Sequence, residues 1–123
     1  MTEPEIVPTI ETVDDIGRLV RAGFTDWAAL GDVRVARDGD LLMFAYTPAA
    51  QYAARWNPFE RMSRGLILDA QTGAVVARPF DKFYNWGEGG RSADAPIDYV
   101  MEKMDGSLII CFHHHGQWQA ATR

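Results

Sequence analysis

"RGLILDAQTGAVVARPF", residues 64–80, places an aliphatic run, a Gln-Thr-Gly break and a second β-branched run ending at Pro79 in one short line. Glycine at 73 allows a tight turn, and proline at 79 removes an N–H that a continuing strand would need. The stretch therefore reads as an antiparallel hairpin turning near Thr72-Gly73. The segment upstream repeats the arrangement: "DVRVARDGDLLMFAYTP", residues 32–48, flanks Asp38-Gly39 with apolar and alternating positions and stops at Pro48. Asp-Gly between such runs is a strong hairpin signal. Two successive hairpins predict a mostly antiparallel sheet.

Outward from that pair, "TVDDIGRLVRAGFTDWAAL", residues 12–30, predicts a helix. Thr12 and Asp15 have capping-box spacing, Ile16, Leu19 and Val20 form one apolar stripe, and Gly23 weakens the pattern. Residues 49–63 predict a short helix and a loop broken at Asn57-Pro58. On the other side, "DKFYNWGEGGRSADAP" is glycine-rich, polar and aromatic, and reads as a loop. "DYVMEK", "SLIICFHHH" and "QWQAATR" follow as three strand-like runs, the last ending at Arg123. The fold class predicted is α+β, a mostly antiparallel sheet with an N-terminal helix. The terminal strand-like run, with no cap or polar tail after it, predicts the front part of a larger domain interrupted after Arg123. Leu108, Ile110 and Trp118 are then expected to be apolar positions left for a missing half to cover.

At 123 residues the chain is at most one domain, short for an enzyme that must close over a nucleotide. With 47% hydrophobic and 24% charged residues it has the composition of a globular protein rather than a disordered one. No apolar run is long enough to span a membrane, and the acidic start "MTEPEIVPTIETVDD" is unlike a signal peptide. The single cysteine, Cys111, excludes an internal disulfide framework. These features predict a cytoplasmic protein with no membrane partner, and a buried Cys111 thiol. The net charge of −5 excludes a generally basic nucleic-acid-binding surface, but charge is uneven: residues 55–91 hold six bases against four acids.

Ten of the twelve basic residues are arginine, and the two lysines are Lys82 in "FDKFYNW" and Lys103 in "EKMDGS". Arginine and lysine serve alike as solvated charges, but only an amine can shed its proton near neutrality and attack an electrophile. Lys103 is thus a candidate nucleophile. Its spacing alone fits better an idle lysine before a turn, paired with Glu102 or Asp105, since short motifs match by chance.

The order "RG-L-I-L-D", "RPFDKFYNWGE", "EKMDGSL" and "ATR" resembles the T-even phage RNA ligase family, ATP-dependent enzymes that reseal RNA through a covalent lysine–AMP intermediate. The resemblance spans roughly residues 44–123. Four motifs in one order are far more specific than Lys-x-Asp-Gly alone. It implies an ATP-grasp-like nucleotidyltransferase (ligase) domain, of which residues 1–123 are the N-terminal portion of the adenylation domain. It implies Lys103 as nucleophile within Lys103-Met104-Asp105-Gly106. It places Arg64 and Lys82 among the phosphate-contacting groups, Tyr84 at a position where the family uses an aromatic, and Glu102 beside the adenine-reading segment. Asp105 would orient the site or help hold metal later, and Gly106 would leave room for nucleotide. Arg123 resembles the basic position of the following motif, although the Gly-Ser expected after it is absent. ATP and Mg²⁺ are the implied cofactors, and RNA with broken, tRNA-like ends is the implied substrate.

The family's later motifs, an acidic metal-binding strand, a Glu-Gly strand and a Lys-x-Lys, are not found in the sequence. A partner chain supplying them is one expectation. A catalytically silent nucleotide- or RNA-binding module is the alternative, and an interaction fragment recruiting a partner through its acidic N-terminal segment and a strand edge is a third. His113, His114 and His115 read as a hairpin end. No metal ligands are assigned to them, because successive strand residues face opposite sides. Trp27, Trp56, Trp86 and Trp118 are expected to pack in the core or on loops, with Trp86 close enough to the Lys82 loop to contact nucleotide or RNA.

Overall fold

A computed structural model describes residues 8–84 and 96–122. Four antiparallel strands, β1 (Val33–Asp38), β2 (Leu41–Tyr46), β3 (Arg64–Asp69) and β4 (Val75–Ala77), form one sheet in sequence order. A separate hairpin, β5 (Ile109–His114) and β6 (Gln117–Thr122), forms a second, two-stranded sheet. Helices α1 (Val13–Arg21), α2 (Pro48–Ala53) and α3 (Pro58–Met62) and a 3-10 turn (Trp27–Ala29) complete the α+β fold. Among the described residues, no helix is long and apolar enough to cross a membrane.

The pattern of β3 explains the layering. Leu66, Ile67 and Leu68 are all buried, so this strand is covered on both faces and carries a continuous apolar run. Leu66 and Leu68 join Phe44, Ile16, Val20, Trp27, Phe59 and Met62 in the main core between the sheet and the helices. There the Trp27 and Phe44 rings meet edge to face at 5.1 Å. Ile67 points the other way and packs with Ile110 and Phe112 of β5, flanked by Leu41, Met43, Val76 and Ala121. The sheet is therefore the middle layer, with helices on one face and the β5–β6 hairpin on the other.

Helix α1 begins as its sequence predicts: Asp15 Oδ2 accepts the Thr12 backbone N–H at 3.0 Å. It ends at Arg21, ahead of Gly23, whose φ is +80°. Asn57-Pro58, read from sequence as a break, instead starts α3. Asn57 Oδ1 accepts the Glu60 N–H at 2.8 Å, and Pro58 occupies the first turn, where a missing N–H costs nothing. The buried Glu60 carboxylate returns the bond to Asn57 N–H at 3.0 Å and also accepts Asp32 N–H at 2.9 Å, tying α3 to the start of β1.

Three expectations are corrected. Residues 98–103 form no strand, because strand propensity needs a hydrogen-bonding partner and none of the six strands among the described residues pairs with them. Cys111 is exposed, because β5 alternates and directs Ile110 and Phe112 inward, leaving Cys111 on the outer face. Of the apolar positions expected to lie open, Ile110 is buried and Leu108 packs against the same cluster, whereas Trp118 is 76% exposed.

Candidate functional site

Arg64, Lys82 and Tyr84 converge at one end of the sheet because the loop after β4 folds back over it. The Lys82 N–H donates to the Arg61 carbonyl at 2.9 Å, which pins residues 80–84 to the end of α3. From there Lys82 Nζ donates to the Phe83 carbonyl at 2.9 Å and lies 4.7 Å from the Trp56 ring centre and 5.0 Å from that of Tyr84. Both separations are in the range of cation–π attraction. Trp56 is steadied in turn by Tyr46, edge to face at 4.9 Å.

Arg64 reaches the same loop from below. Its guanidinium carbon lies 4.8 Å from the Phe83 ring centre, and Nη1 donates to the Phe80 carbonyl at 3.5 Å. The Arg-Gly pair has a geometric reason. Leu66 lies opposite Phe44 and Arg64 opposite Ala45, so Gly65 is the extra residue of a bulge, at φ +83°. A bulge re-aims the neighbouring side chain, and its left-handed residue is best a glycine. Two cations and an open fringe of aromatics, Phe80 and Phe83 among them, suit a polyanion that also carries a flat ring.

Lys103 is not part of this cluster. Residues 96–107 carry no regular structure and are exposed, and Lys103 makes no hydrogen bond or ion pair among the described residues, including with Glu102 or Asp105. Gly106, at φ +142°, has open space where a side chain would project, so its backbone conformation, not crowding, explains the glycine. Val100, Met101 and Met104 are also exposed, leaving the Lys103 segment with an apolar surface of its own. Arg123, Asn85 and Trp86 lie outside the described residues.

Sequence reasoning missed Trp56 and Tyr46 as partners of the Lys82 loop. Trp56 stands immediately before the Asn57-x-x-Glu60 capping signal, which fixes it at the mouth of α3 and could have marked it. A hollow on the surface lined by Val20, Phe24, Trp27, Val35, Arg37 and Leu42, among others, shares no residue with the basic loop. At the opposite hairpin tips Asp40 meets His114 and His115, and the His115 hydrogen bond, more than that of His114, holds its carboxyl below the ordinary value of 3.8.

Comparisons with known proteins give the chain's family. A family model described as RNA ligase matches residues 62–123, the stretch that holds Arg64, Lys82, Tyr84 and Lys103. Over 71 residues the chain is 42% identical to a candidate bifunctional polynucleotide kinase/RNA ligase of Autographa californica nuclear polyhedrosis virus, covering 49% of this chain and 10% of that one. It is 31% identical over 80 residues to a candidate RNA ligase of Thermovibrio ammonificans, covering 62% of this chain and 21% of the relative. It is 30% identical over 102 residues to RNA ligase 1 of Bacteriophage TS2126, covering 72% of this chain and 25% of the relative. The chain thus spans a quarter or less of these curated relatives, and no solved structure matches it significantly. With the family model covering half of its residues, the chain belongs to the T4-type RNA ligase family.

Proposed function

We propose that the chain serves ATP-dependent RNA ligation as the N-terminal portion of an adenylation domain of ATP-grasp-like, nucleotidyltransferase type, with Lys103 as the nucleophile. The observation that carries this reading is the gathering of Arg64, from the start of β3, with Lys82 and Tyr84 of the loop after β4 at one end of the sheet. In the proposed step the deprotonated Lys103 amine attacks the α-phosphorus of ATP. The bond from that phosphorus to the bridging oxygen breaks, pyrophosphate leaves with the electron pair, and the amine gives up a proton as the phosphoramidate forms. Arg64 and Lys82 offset charge on the phosphates, and Tyr84 and Trp56 supply ring faces. Glu102, Asp105 and Gly106 travel with Lys103, and Arg123 is assigned to the following motif. The segment carrying Lys103 docks on the basic loop when nucleotide bridges them.

The described residues fit a resident Mg²⁺ poorly: Asp81, the carboxylate on this loop, pairs with Arg78 at 3.6 Å, and among the described residues it belongs to no cluster of three metal-ligating side chains. Mg²⁺ would enter with the nucleotide and offset the charge of its phosphates. RNA with broken ends is the proposed acceptor of the AMP.

Incubation with α-labelled ATP and Mg²⁺ tests the reading. A labelled adduct on Lys103, stable to alkali and cleaved by acid as a P–N bond is, should form and disappear in Lys103→Arg. Arg64→Ala and Lys82→Ala should slow it by about a hundredfold each, the effect of losing one preorganised electrostatic donor. Lys103, exposed and without a partner among the described residues, favours a second reading, a catalytically silent nucleotide- or RNA-binding module. ATP binding without adduct, even when a chain carrying the downstream motifs is added, would decide for it. Loss of both binding and adduct would leave the interaction-fragment reading.

A further inference from the structure

Asp40 lies between β1 and β2, and His114 and His115 lie where β5 turns into β6, so these residues come from the tips of hairpins on two different layers. Their ligand atoms all lie within 4.8 Å of one another. His114 Nε2 is 3.3 Å and His115 Nε2 is 2.5 Å from the same oxygen, Asp40 Oδ2. Two adjacent strand residues would normally face opposite sides. His115, however, is in the left-handed region at φ +50°, and this turns its ring beside that of His114, with centroids 3.8 Å apart.

We propose that Asp40, His114 and His115 form a transition-metal site, best matched to Zn²⁺, that clips the β5–β6 hairpin to the central sheet. Two imidazoles and one carboxylate are the donor set of a three-ligand zinc site with a fourth position for water, and the nitrogen donors disfavour Mg²⁺. Tetrahedral bonds of about 2.1 Å put neighbouring donors about 3.4 Å apart. The Asp40–His114 separation of 3.3 Å already matches that edge, and the His114 side chain is only 11% exposed, held in place by its strand. His115 is 68% exposed, so its ring has room to back away from Asp40 to the same spacing. A bond across 74 or 75 residues closes a long loop, so metal binding should favour the folded chain. His113 is the internal control, since it faces away and meets Trp118 edge to face at 5.5 Å.

The test uses the tag-free chain, stripped with a chelator and titrated with ZnCl₂ by calorimetry near pH 7.5, with thermal melts alongside. One Zn²⁺ per chain should bind with a dissociation constant of micromolar order or tighter and raise the Tm, while MgCl₂ does neither. His115→Ala, at an exposed turn position, and Asp40→Asn should each weaken binding at least tenfold and abolish the Tm rise, with the fold checked by circular dichroism. His113→Ala should bind as the parent does. Absence of one-to-one binding, or equal losses in His113→Ala and His115→Ala, would overturn the site, the latter by revealing only a surface histidine tract.

Discussion

Lys82 holds its ammonium 4.7 Å from the centre of the Trp56 ring, so a residue that precedes α3 shapes the loop that follows β4. A partly exposed cation–π contact contributes about 0.5–1 kcal/mol. Trp56→Ala should therefore slow AMP-adduct formation about two- to fivefold, through looser placement of Lys82, and Trp56→Phe should recover most of the loss. Quench-flow measurement of the adduct checks this. Equal rates in Trp56→Ala and the parent would mean that the contact leaves the position of Lys82 unchanged.

Gly65 governs where Arg64 points. At φ +83° an alanine costs about 1–2 kcal/mol, or the bulge straightens and Arg64 turns away from Phe80 and Phe83. Gly65→Ala should lower the melting temperature and also cut adduct formation, measured well below that temperature, towards the Arg64→Ala rate. A destabilised variant with the parental rate would separate the bulge from the aim of Arg64.

Gly17 and Gly73 bring α1 and the β3–β4 turn into backbone contact. A Cβ on Gly17 would lie 2.5 Å from the Gly73 carbonyl oxygen. Alanine improves helix propensity by about 1 kcal/mol, yet overpacking against immobile backbone costs about 1–3 kcal/mol. The clash wins, so Gly17→Ala should melt several degrees lower than the parent by calorimetry. A higher melting temperature would show that the helix can shift freely over the turn.

Asp69 caps its own turn, accepting Gln71 N–H at 2.8 Å and Thr72 N–H at 2.9 Å. These bonds, Thr72's first, hold its folded-state pKa below the ordinary 3.8. A carboxyl depressed on folding stabilises the fold fully above its unfolded pKa, and that contribution is lost as pH falls through the folded value. Urea midpoints taken from about pH 6 to about pH 2.5 should therefore fall less steeply on the acid side in Asp69→Asn than in the parent. Parallel acid limbs would assign the acid sensitivity elsewhere, with Asp15 and Asp40, also depressed, the next candidates.

The hairpins around Asp38-Gly39 and Thr72-Gly73, the capped start of α1 and the β5–β6 strands were legible because turn chemistry, capping and periodicity act within a few residues. Arg64, Lys82 and Tyr84 were legible as a set through motif order. Their meeting over Trp56 was not, since it depends on where α3 ends and how the loop after β4 returns, and no local pattern encodes that. The expected strand at 98–103 failed for the same reason in reverse: its residues favour extension, but pairing is a property of the whole sheet. The two neighbouring histidines were assigned opposite faces by strand alternation, and a single left-handed residue at 115 overruled it. The candidate chemistry was thus read from residue types and their order in the chain. Which of those residues share a site was decided by backbone reversals and layer packing, whose energies come from contacts between segments far apart in sequence.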